Sequence, residues 1–103
     1  MNNEEFLISL EQGHLRSRKL LEKKRVEYSG EKDRLEQFYR AGAAQDILPT
    51  EALMGMAMKH VTSIADMVKD PLSYSIKKWN EKITDLRNYM HLLDALIRDE
   101  GVE

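Results

Sequence analysis

The chain has 103 residues, 42% hydrophobic and 33% charged, with a formal charge of −2 at neutral pH. That is one domain by length, with room for a single modest core, and its faintly acidic balance excludes a polycation built to wrap duplex nucleic acid. The absence of cysteine removes disulfides, thiolate catalysis and zinc–cysteine sites together.

Two prolines, five glycines and two phenylalanines suit an exposed helical bundle better than a sandwich or barrel, which needs more turn and β-branched residues. No apolar run reaches the roughly 18 residues of a membrane span, and "MNNEEF" lacks the basic and apolar regions of a signal peptide. A cytoplasmic protein with no membrane partner is expected. Taken in chain order, the first predicted helix opens at Asn3 as N-cap, with Glu4 and Glu5 in its first turn. Leu7, Leu10, Leu21 and Tyr28 share one of its faces, interrupted by His14 and Ser17, and "SG" at 29–30 ends it. A second, shorter helix is predicted from about 31 to 44, with Leu35, Phe38 and Tyr39 inward. "DILPT" is a turn, Thr50 caps a third helix, and "KDP" at 69–71 stops it, because residues before proline avoid helical geometry. Leu53, Met56, Ala57, His60, Val61, Ile64, Met67 and Val68 form its apolar stripe.

The fourth predicted helix runs from about 75 to 99. Ile76, Trp79, Ile83, Leu86, Met90, Leu93 and Ile97 alternate spacings of three and four, a coiled-coil-like seam that must be covered by partner helices. At about 1.5 Å per residue this helix is a rod of roughly 35 Å. The expected fold is therefore all-α: four helices in an antiparallel bundle, one domain over 1–103 with a flexible last few residues, completed by homo-oligomerisation.

Beside the seam, Glu81, Asp85 and Asn88 stack at i, i+4 and i+7, and on the third helix Lys59, Ser63, Asp66 and Asp70 repeat the geometry. If the two strips meet, they hold carboxylates near a lysine, a cluster able to take Mg²⁺, a hard cation that keeps water and phosphate oxygens as further ligands. The bland alternative is a pair of solvated shoulders with ordinary i, i+4 pairing. His60, alone within an apolar stripe, reads as a core or interface histidine; His14 and Ser17 read as a subunit contact or water pocket, and His91 as solvent-facing. The basic run "RSRKLLEKKR" at 16–25, balanced by Glu22 and Glu27, reads as a solvated surface, which makes a nucleic-acid partner the weakest of the options.

The strings "KRVEYSGEKDRLEQF", "GMAMKHVTSIADM" and "EKITDLRNYMHLLDAL", spanning roughly residues 20 to 97, resemble small phage-borne proteins related to the MazG-like all-α nucleotide pyrophosphatase and nucleotide-modification-associated families. The resemblance marks Lys24, Glu27, Tyr28, Asp33 and Arg34, then Lys59, Glu81, Asp85, Asn88 and Tyr89. It implies a nucleotide gripped between helices. Lys24, Arg34 and Lys59 would contact phosphates, Tyr28, Asn88 and Tyr89 sugar or base, and Glu81, Asp85 and Asp66 would hold Mg²⁺. The chain departs from the MazG-like pattern, which carries a Glu-Glu-x-x-Glu string where Lys59 and His60 stand here. Fewer acids and an added lysine shift the expectation from hydrolysis towards binding of a nucleotide or nucleotide-derived phosphate, with Mg²⁺-assisted pyrophosphohydrolase chemistry as its enzymatic form. The alternative of a different class is a non-enzymatic phage interaction or inhibitor protein that docks a helical face on a host protein.

Overall fold

The computed structural model describes residues 1–27 and 34–103, for 25–27 the backbone alone. Among the described residues the chain is all-helical: α1 (Asn3–Glu27), α2 (Glu36–Gln45), α3 (Pro49–Met67) and α4 (Ile76–Asp99), with one turn of 3₁₀ helix at Pro71–Ser73. The backbone N–H of Glu5 donates to Oδ1 of Asn2 at 2.8 Å, so the cap of α1 is Asn2, one residue before the expected Asn3.

α2 ends on Asp46, whose left-handed backbone (φ 56°) short polar side chains tolerate better than branched ones. The N–H of Ile47 then returns to the Gly42 carbonyl at 2.9 Å, closing the turn over a residue with no side chain. α3 begins at Pro49, a residue whose missing N–H costs nothing in a first turn. Its cap is set by Glu51, whose carboxylate accepts from the Leu48 N–H at 3.1 Å, so Thr50 lies inside the helix instead of capping it. Ser75 caps α4, its hydroxyl accepting from the Lys78 N–H at 3.1 Å. Trp79 staples the preceding turn: its indole N–H donates to the Pro71 carbonyl at 3.0 Å, and Tyr74 packs edge-on against it.

α2 packs on α3, and α4 takes α3 on one side and α1 on the other. The fully covered centre is small: Leu35, Phe38, Leu53 and Leu96, with Tyr39, Met56, Tyr89, Leu92 and Leu93 packed against it. Tyr39 ties α2 to the far end of α4 by donating to Asp99 at 2.7 Å. That carboxylate, beside the phenol, pushes the Tyr39 pKa up to about 12.

The orientation of α4 differs from the seam expectation. Its buried positions are Thr84, Asn88 and Leu96, whereas Ile76, Ile83 and Met90 of the seam are exposed, at 76%, 42% and 40%. Ile83 and Met90 lie roughly 140° and 160° around the helix from Asn88 at about 100° per residue, so the two faces cannot both point inward. Within one chain, α4 turns its polar strip towards α1 and α2, and part of its apolar line remains in water.

Candidate functional site

Turning that strip inward builds a cleft. A small chamber of about 80 Å³ lies between the C-terminal half of α1, the start of α2 and the middle of α4, lined by Leu21, Lys24, Arg34, Gln37, Phe38, Asp85, Asn88, Tyr89 and Leu92. Five of the residues marked in the sequence therefore meet there: Lys24, Arg34, Asp85, Asn88 and Tyr89. Leu21 and Arg34 also line a wider, open groove of about 530 Å³ that continues past His14, Ser17, Arg18, Glu22 and His91. Arg34 stands at the junction and donates to the Leu21 carbonyl at 2.7 Å. That bond fixes its guanidinium against the rising helix while leaving other N–H donors for a ligand.

Asn88 is the chemically pointed residue. It is 5% exposed, and neither its Oδ1 nor its Nδ2 has a hydrogen-bond partner among the described residues. A buried amide without partners costs about 1–3 kcal/mol per unsatisfied group, so such atoms are rare unless something else comes to meet them. Ser17, 2% exposed on the groove side, also carries a hydroxyl oxygen with no hydrogen-bond partner among the described residues.

α3 brings His60 against two of the lining residues, Asp85 and Tyr89. Its Nδ1 is 3.8 Å from Asp85 Oδ2, and its ring lies 5.2 Å from that of Tyr89, tilted by 37°. Burial holds the His60 pKa below its ordinary value. Asp85 pulls the other way, while Lys59, Lys82 and Lys24 add to the lowering. Of those lysines Lys24 also lines the chamber, as does Arg34. Among the described lining residues, the cations Lys24 and Arg34 stand against one carboxylate, Asp85, with the Asn88 amide on the same wall.

The remaining marked residues stand elsewhere. Lys59 is exposed on α3, one residue before His60 and so turned roughly 100° from it. Glu81 is exposed one turn ahead of Asp85. Asp66 pairs with Lys69 at 3.8 Å on the outer surface of α3. The two strips do not meet as expected, because α3 offers His60 to Asp85 where Lys59 and Asp66 were anticipated. Tyr28 and Asp33, together with the side chain of Glu27, lie outside the described residues. Among the described residues no three His, Asp or Glu side chains are grouped to hold a metal ion. Of the three acids anticipated for Mg²⁺, Asp85 lines the chamber and faces His60, while Glu81 and Asp66 are exposed away from it.

Four lining residues carried no site mark in the sequence: Gln37 and Leu92, and Leu21 and Phe38, which read only as apolar-face positions. His60 was legible only as a histidine interrupting an apolar stripe, a pattern shared with ordinary core histidines. Comparison with known proteins adds nothing to this geometry: no protein-family model, curated protein or solved structure matches the chain.

Proposed function

We propose that the chain binds a small anionic ligand, a nucleotide or nucleotide-derived phosphate, in the cleft between α1, the start of α2 and α4. The observation that supports this most is the buried Asn88 amide, unpartnered at both atoms among the described residues, on the wall of a chamber ringed by Lys24 and Arg34. An asparagine side chain presents one acceptor and two donors in a plane, matching an edge with adjacent donor and acceptor such as a nucleobase carries. Arg34 and Lys24 supply charge-assisted bonds to phosphate oxygens, Arg34 through its planar fork and Lys24 as a point charge. Asp85, 3.8 Å from His60 Nδ1, leaves carboxylate lone pairs for a sugar hydroxyl or an exocyclic amine.

Binding, not turnover, is what the described residues support. Hydrolysis between the α- and β-phosphates requires a metal or a general base placed to activate water, and one carboxylate already facing a histidine is a thin basis for either. Calorimetric titration of nucleoside triphosphates and cyclic dinucleotides, with and without Mg²⁺, tests the reading. Saturable heat is expected for at least one ligand, and Lys24→Met is expected to weaken it by roughly tenfold or more, the worth of one charged hydrogen bond. Silence from every member of the panel would overturn the reading, and release of pyrophosphate in the Mg²⁺ arm would extend it to an enzyme.

A further inference from the structure

The opposite side of α4 presents a separate problem. Ile83, Leu86 and Met90, with Ile64 of α3 at their edge, line an apolar groove of about 420 Å³ rimmed by Arg87 and His91. A folded 12.0 kDa chain is expected to expose about 6,000 Å². This one exposes 7744 Å², an excess of about 1,700 Å². Its radius of gyration, 15.7 Å, likewise exceeds the roughly 13 Å expected of a globular chain of this length. Permanent homodimers remove on the order of 1,000–2,500 Å² from each partner. The excess, which is spread over the whole chain and includes Phe6, Leu7, Ile8 and Leu15 of α1 as well as Ile83 and Met90 of α4, is large enough for one such interface.

We infer that two copies of the chain pair about a two-fold axis through this face of α4, Ile83, Leu86 and Met90 of one copy packing on the same residues of the other. Spacings of three and four residues give a ridge that seats best against another of the same spacing, and an isologous contact needs a patch that complements itself. Of the charged groups beside the groove, Arg87 lays its guanidinium against Gly13 of α1 and His91 is exposed, so neither is buried unpaired in the apolar centre. Met90 lies roughly 160° around α4 from Asn88, so pairing leaves the Asn88 chamber open and meets the wider groove at His91, which lines both.

Sedimentation equilibrium tests the pairing. The wild-type chain is expected at twice 12.0 kDa, and Ile83→Lys with Met90→Lys at the mass of one chain with its helical circular dichroism intact. Leu72→Lys, at a position already 97% exposed, should remain paired. The natural chain has no cysteine, so single-cysteine proteins give a second measurement that does not depend on the lysine variant folding. Ile83→Cys and Met90→Cys are expected to form covalent dimers with a short bis-maleimide, and Leu72→Cys is not. A wild-type mass of one chain, an assembly that both lysines leave intact, or cross-linking favouring Leu72→Cys overturns the inference.

Discussion

Replacing Asn88 with leucine separates what the position costs the fold from what it does for a ligand. The residue is 5% exposed and its amide has no partner among the described residues, while Leu21, Phe38 and Leu92 line the same chamber. Leucine is close in size and restores apolar contact there. Relieving two unpartnered polar atoms is worth about 1–3 kcal/mol each in a fully dry site. Fitting a tetrahedral branch where a planar amide stood returns on the order of 1 kcal/mol. The expected net effect of Asn88→Leu is stabilisation by about 2 kcal/mol, which for a domain of this size raises Tm by roughly 8–15 °C. The assay is thermal and urea unfolding followed by circular dichroism, on protein refolded from guanidinium so that no carried-over ligand stabilises the wild type. The same variant is expected to lose nucleotide binding. A leucine variant of equal or lower stability would refute the reasoning, because it would mean that the amide is already satisfied and has no need of a ligand.

Two glycines inside helices should respond to the same change with opposite signs. A Cβ at Gly42 would sit 2.8 Å from the Ile47 carbonyl oxygen and 3.0 Å from the Pro49 nitrogen, both backbone atoms, whereas one at Gly55 meets nothing within 4 Å. Gly42→Ala is expected to destabilise by about 1–3 kcal/mol despite its better helix propensity, and Gly55→Ala to stabilise by about 0.5–1 kcal/mol; urea midpoints read both. His60 should titrate below the ordinary histidine range by NMR, further below in Asp85→Asn, which removes the opposing charge, and higher in Lys59→Met. Since the folded state binds that proton less tightly than the unfolded chain, the His60 contribution is fully present above the unfolded pKa. It is lost as pH falls through the depressed folded value. Midpoints that do not move with pH in wild type relative to His60→Phe would contradict the assigned burial.

The sequence carried the helices well because their punctuation is local. Gln45–Asp46, Leu48–Pro49–Glu51 and Ser75 each set a boundary through bonds made within four residues. It carried the cluster Asp85, Asn88 and Tyr89 for the same reason: 100° per residue places them together whatever they face. What it could not carry was the rotation of α4. A spacing of three and four residues says that a face wants cover without saying whether the cover comes from the same chain. Here α1 and the start of α2 take the polar side, with His60 of α3 beside Asp85, and Ile83 and Met90 remain exposed. The error on α3 follows directly. Once α4 has turned, the residue opposite Asp85 is His60, and Lys59 and Asp66 fall on outward positions.

The central claim is that an anionic ligand sits against the Asn88 amide, and the side-chain NH₂ resonances of that residue report on it directly. In ¹H–¹⁵N correlation spectra recorded during nucleotide addition, the Asn88 Nδ2 pair and the Arg34 Nε signal are expected to shift together and saturate with one dissociation constant. Shifts that spare Lys24, Arg34 and the 85–92 stretch of α4, while appearing elsewhere or nowhere, would contradict the account.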